Sequence, residues 1–144
     1  MMISTKGRYA LRMLVDMAEH ERRGGYVPLK EIAARQEISE KYLESIVSVL
    51  SKNKFVTALR GKGGGYRLAR DPGQYTIGSI LRLTEGSLAP VACLEDEPNL
   101  CERAASCVTL KMWKGCYKVI NEYFDGITLQ DLLEQDSNVG DYII

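Results

Sequence analysis

No apolar run among the 144 residues of this chain approaches the roughly 18 to 20 that a bilayer span needs. A membrane-crossing helix and a membrane partner are therefore not expected. Met1 to Lys6 leads straight into an amphipathic pattern, without the apolar core and cleavage site of a secretory signal, so the expected compartment is the cytoplasm. Histidine is nearly missing. His20 stands alone, with no nucleophile, base and orienter set around it, and an enzyme is not expected. The cysteines include neither the Cys-x2-Cys pairs of zinc ribbons nor the ferredoxin spacings. Net charge is absent too, 19 Lys and Arg balancing 19 Asp and Glu.

That balance hides a division. Residues 1–71 carry 14 Lys and Arg against 8 Asp and Glu, a charge of +6, whereas residues 72–144 carry 5 against 11, a charge of −6. A basic half can meet a polyanion while an acidic half is kept off it, which suits a DNA-binding lobe joined to an effector or dimer lobe. The four cysteines all fall between positions 93 and 116. In a chain without a secretory signal, such clustering points to metal or redox chemistry rather than to a disulfide framework.

Ala10, Met13, Leu14 and Met17 recur at three- and four-residue steps, which predicts a helix from Ser4 to about Glu21, ended by Gly24 and Gly25. Pro28 opens a short second helix, Gln36 to Ile38 makes a tight connection, and Ser39 caps a third helix running to about Asn53. Two helices joined by so short a turn form a helix-turn-helix. Phe55 to Ala69 reads as a β-hairpin with a basic, glycine-rich tip, Arg60-Gly61-Lys62-Gly63-Gly64-Gly65. The tip has neither Walker spacing nor a helix directly after it, and it reads as a wing whose glycines allow close approach to a DNA backbone. Asp71-Pro72-Gly73 is a turn, and Thr76 caps a short helix closing at Gly86. Ser87 to about Ala105 is a loop, and Ser106 to about Phe124 the longest helical pattern of the second half.

That last pattern has two apolar stripes: Leu110, Trp113, Tyr117, Ile120 and Phe124, and, on much of the opposite side, Val108, Met112, Cys116, Val119 and Tyr123. A helix apolar on two faces must be buried on two faces. One is expected against its own domain and the other against the same helix of a second copy, with Ile120 on the dimer side. Cys116 is expected to be a core thiol. Thr128 caps a final short helix through Leu129, Leu132 and Leu133. The fold expected is mostly α, a winged helix-turn-helix with a small β-hairpin wing and a long C-terminal dimerisation helix. It divides into a DNA-binding domain (1–86), a cysteine-containing loop (87–105), the dimerisation and terminal helices (106–136) and a tail (137–144).

A helix-turn-helix presents the start of its second helix to the major groove. Ser39, Lys41, Tyr42 and Glu44 are the candidates there. Ser39 and Lys41 suit phosphates or base edges, and Glu44 can accept from a cytosine amino group. On the wing, Arg60 suits a narrow minor groove, with Lys62, Gly63, Gly64 and Tyr66 beside it. Cys93, Cys101 and Cys107, spaced x7 and x5, provide thiolates that suit an iron–sulfur cluster, zinc or a redox pair.

The stretches Ser4-Thr5-Lys6-Gly7-Arg8-Tyr9-Ala10, Ile38 to Glu44 and Val56 to Tyr66, with three cysteines before Trp113, closely resemble the family of the iron–sulfur regulator IscR, whose relatives include NsrR, CymR and RirA. The resemblance covers the chain to about Gln135. It implies a homodimeric transcription regulator, in repressor form, that binds double-stranded DNA. It also implies an iron–sulfur cluster, 2Fe–2S or 4Fe–4S, held by Cys93, Cys101 and Cys107, with Glu44 reading bases and Arg60 entering the minor groove. The position matching the family's histidine ligand is Leu110, and that matching its aspartate ligand is Arg8, so the fourth ligand is unassigned. CymR-like control by a partner enzyme, or by thiol oxidation without metal, is the alternative.

Overall fold

The structure, a computed structural model, describes residues 2–21 and 25–139, with side chains described to residue 135. Among the described residues six helices and one hairpin follow in order: α1 Thr5–Glu21, α2 Leu29–Gln36, α3 Glu40–Lys52, β1 Val56–Leu59, β2 Gly65–Leu68, α4 Ile77–Glu85, α5 Leu110–Asp125 and α6 Leu129–Val139. Short 3-10 turns lie at Pro72–Gln74 and Ala92–Leu94. Gly24, expected to help end the first helix, lies outside the described residues, as do 140–144 of the expected tail.

α1 is the central element, packed against α2, α3, α4, α6 and β2. Its Ala10, Met13, Leu14 and Met17 are fully buried and meet Ile32 of α2, Leu43, Ile46 and Leu50 of α3, and Ile80 and Leu81 of α4. Among the described residues the one buried charge is Asp16, 1% exposed. It accepts from Arg35 Nε (3.0 Å) and Nη2 (2.7 Å) and from Gln36 Nε2 (3.0 Å), a forked arrangement that fastens the end of α2 to α1. The mostly helical fold with a two-stranded antiparallel wing is the one expected.

Local signals place the ends of the elements. Ser39 Oγ accepts from Tyr42 N–H (3.0 Å) and caps α3, as Thr76 Oγ1 accepts from Ser79 N–H (3.0 Å) and caps α4. In the wing, Val56 pairs with Leu68 and Leu59 with Gly65. A third strand-like segment joins it, because Val27 and Tyr66 exchange two backbone hydrogen bonds of 2.8 Å. Gly65 has φ +149°, and a Cβ there would collide with the Val27 carbonyl, so only glycine lets the wing close on this segment. Tyr75, 1% exposed, locks the base of the hairpin: its hydroxyl donates to Phe55 O and accepts from Ala69 N–H (3.0 Å) and Arg70 N–H (3.2 Å).

Three expectations about the second half are corrected. The long helix begins at Leu110, not Ser106, because residues 101–106 spend their backbone bonds on turns (Ala104 N–H to Cys101 O, 3.1 Å; Ser106 N–H to Arg103 O, 3.0 Å). Ile120 belongs to the inner face: with Tyr117 and Phe124 it packs on the chain's own core. Cys116 is exposed, not a core thiol, since helical phase puts it with Met112, Val119 and Tyr123 on the outward side.

Candidate nucleic-acid interface and thiol loop

α3 and the wing face each other across an open groove of about 550 Å³. Glu44, Ser48, Ser51 and Lys52 line one side, and Ala58 to Gly61 with Gly64 to Tyr66 line the other. The groove therefore brings together Glu44 and Arg60, 16 residues apart in the chain, as an acceptor and a multiple donor facing one space. Ser48, Ser51 and Lys52 were not among the residues expected from sequence. Their helical spacing from Glu44 was the available signal.

The other expected residues surround this groove. Ser39 is exposed at the start of α3, its oxygen engaged as the cap while its O–H remains free to donate outward. Lys41 is exposed on the same turn. Tyr42 sits edge-on against Tyr9 of α1 (5.6 Å, 86°), and the Arg12 guanidinium lies 5.1 Å from the Tyr9 ring centre. Arg12 also donates to Gln36 Oε1 (3.1 Å) and to Gln36 O, so one arginine braces both the helix-turn-helix corner and the stack supporting Tyr42. Lys62 and Gly63 are exposed at the wing tip. Gly64 has a folding reason of its own, because a Cβ there would strike Leu59 O. Tyr66 lines the groove while its backbone is tied to Val27.

The thiols lie on the loop between α4 and α5. Cys93 is half-buried in the Ala92–Leu94 turn, and Cys101 and Cys107 are exposed; all four cysteines are free. The Cys101 N–H donates to Asn99 Oδ1 (2.8 Å), while Asn99 Nδ2 is buried without a partner among the described residues. Cys107 Sγ lies 3.4 Å from Thr109 Oγ1. That hydroxyl lowers the thiol's pKa most, helped by the Thr109 and Leu110 amides and by Arg103. The start of α5 thus favours the thiolate form of Cys107 although that residue lies ahead of the helix.

The donor types suit iron, but their placement does not. Among the described residues no group of three or more His, Cys, Asp or Glu is close enough to hold a metal ion, so the three thiols are not assembled into a cluster site. His20 is engaged elsewhere, its Nδ1 2.8 Å from Asp16 O. None of the described helices is long and apolar enough to cross a membrane.

Comparison with known proteins identifies the family. The Rrf2 family, described as iron-dependent transcriptional regulators, matches residues 3–135. The transcriptional regulator IscR of Sodalis glossinidius (strain morsitans) is 37% identical over 136 residues, covering 94% of this chain and 81% of that protein. Among solved structures, IscR of T. potens superposes with a TM-score of 0.77 at 38% identity, over 100% of this chain and 93% of the other. CymR, the global cysteine regulator of B. subtilis, does so with a TM-score of 0.76 at 38% identity, over 94% and 98%.

Proposed function

Because the chain belongs to the Rrf2 family of transcriptional regulators, a non-enzymatic class, we propose that it is a cytoplasmic, homodimeric repressor that reads double-stranded DNA with α3 and the wing. The observation that carries this reading is the groove with Glu44 on the helix wall and Arg60 on the wing wall. α3 enters the major groove through Ser39, Lys41, Tyr42 and Glu44. The wing follows the backbone into the adjacent minor groove with Arg60, Lys62, Gly63, Gly64 and Tyr66. Glu44 repels phosphate but accepts from a cytosine amino group, so it contributes discrimination more than affinity. The test is selection of binding sites from random duplex DNA by wild type and by Glu44→Ala. Loss of base preference at one position per half-site with little loss of affinity supports the assignment. An unchanged selected sequence refutes it.

The dimer reading rests on the outer face of α5, where Met112, Val119 and Tyr123 are exposed apolar side chains. A second copy covering this face with its own gives a two-fold pair, the symmetry that a palindromic operator requires.

For the signal, the reading is an iron–sulfur cluster, 2Fe–2S or 4Fe–4S, on Cys93, Cys101 and Cys107. It is supported by three soft donors on one loop and by the iron-dependent description of the family. The loop must first gather the thiols. A second reading has its own observation: all four cysteines are free and ungathered, and CymR of B. subtilis is named as a cysteine regulator. Thiol oxidation or a partner enzyme is then the signal. Protein prepared without oxygen separates the two. Iron and sulfide lost in each of the three Cys→Ala variants supports the cluster, and wild type with neither supports the metal-free reading.

A further inference from the structure

α4 belongs to the body of the winged domain: Ile77, Ile80 and Leu81 are buried, and the helix packs on α1 and α3. α5 carries the outward apolar face. Whatever joins these two helices sets the direction in which the reading head leaves a dimer, and the structure shows a joint with more attachment than packing alone requires.

Its first part is backbone. Ile77 N–H donates to Ile127 O (2.8 Å) and Leu129 N–H donates to Tyr75 O (3.0 Å), bracketing a Thr76–Thr128 bridge. Its second part is a side-chain fork. Arg82 Nη1 donates to Asp125 Oδ1 (2.9 Å), and Nη2 donates to Asp125 Oδ2 (2.7 Å) and Asn121 Oδ1 (2.8 Å). The third part is a notch: a Cβ on Gly78 would collide with Asp125 Oδ1, so glycine there lets the carboxylate lie against α4. The notch and the fork meet the same Asp125 carboxylate and form one attachment, and the Thr76–Thr128 bridge, six residues ahead of Arg82, forms the second. Attachment at a single height fixes a distance between helices, whereas attachment at two heights also fixes their angle. A planar fork against a carboxylate constrains that angle further, because both hydrogen bonds hold only when the two groups share a plane. The pair is partly solvated, with 37% and 43% side-chain exposure, so its contribution is directional more than energetic.

We propose that Arg82, Asp125 and the Gly78 notch are positioning residues that set the angle between the wing domain and the dimer helix, and so the half-site spacing the dimer accepts. This rests on the DNA-binding dimer described above. One base pair of extra spacing moves a half-site by about 3.4 Å and turns it by about 35°. A stiff joint cannot follow that change and a loosened one can.

The experiment uses the full chain and duplexes built from the half-site that wild type selects from random DNA, with the spacing varied one base pair at a time. Wild type is expected to prefer one spacing sharply. Asp125→Asn, which keeps shape but loses charge, and Gly78→Ala should flatten the profile and weaken binding at the best spacing by about tenfold. Affinity for a single half-site and the dimer dissociation constant should stay within about twofold. Arg82→Lys, keeping the charge and losing the fork, should flatten it as well, and it provides the reading should Gly78→Ala fail to fold. Variants with the wild-type profile overturn the inference and leave the function standing. A wild type without any spacing preference overturns the dimeric reading and this inference with it.

Discussion

Replacing Val119 by Glu should split the dimer while each protomer stays folded. Val119 is 65% exposed, flanked on the outer face of α5 by Met112 at 58% and Tyr123 at 63%, with Val108 at 95% just before the helix. The side chain is mostly exposed and outside the core, so the substitution acts chiefly on association. In a two-fold dimer it acts twice. Two lost valine contacts amount to about 2 kcal/mol, taking about two-thirds of a full burial of roughly 1.5 kcal/mol for each. Two carboxylates forced into an apolar seam add at least about 1 kcal/mol each. A total near 4 kcal/mol raises the dimer dissociation constant by about a thousandfold, at about 1.4 kcal/mol per tenfold. Sedimentation equilibrium over a concentration series should show a species near 16.1 kDa replacing one of twice that mass. Ile120→Glu is the contrast: it places a charge against the core and should unfold the protomer itself. A Val119→Glu protein that keeps the wild-type dissociation constant would refute the reasoning and free this face from the interface.

Other outcomes follow from single contacts. Arg60→Ala should weaken operator binding and reduce the log–log salt slope by about one per subunit if Arg60 meets phosphate, or relax a minor-groove preference if it reads shape; unchanged salt titrations and selected sequence would remove it from the interface. Tyr75→Phe removes three part-buried hydrogen bonds at the hairpin base while Ala69 N–H keeps its bond to Phe55 O (3.2 Å), and should cost about 1 kcal/mol in urea unfolding. Asp16→Ala leaves Arg35 without its main partner and should cost about 3 kcal/mol, the low end for a broken buried pair because Arg35 retains some solvent access. The hydrogen bonds from Arg82 hold the Asp125 carboxyl below its ordinary value of 3.8. Its stabilising effect is thus complete above that value and lost as pH falls through the lower folded value. Wild type should therefore exceed Asp125→Asn in thermal stability at neutral pH, with the gap closing as pH falls below 3.8 through the lowered folded value.

Most of the fold and the reading head were legible along the chain because the signals are local. Ser39 and Thr76 cap the helices they precede, and Gly86 with φ +81° ends α4. The wing's glycines mark a tight turn between two short extended runs, and apolar spacing identifies α1 and α3. The three thiols were legible as a group only because one loop carries them, and their separation in space was not. Helix phase told that α5 has two apolar faces but not which face its own core takes. Only packing against α4 and the core put Ile120 inside and left Cys116 outside.

The sequence by itself therefore determined the elements, their caps and the chemistry of the surfaces, all of which depend on neighbours within a few positions. Tertiary structure alone decided the partnerships between distant residues: Val27 with Tyr66, Asp16 with Arg35, Ser4 with Glu85 and Arg82 with Asp125. A charged or backbone group in an element has many possible partners along a chain. Which one it meets depends on how the apolar faces stack, and that is settled by the whole core at once.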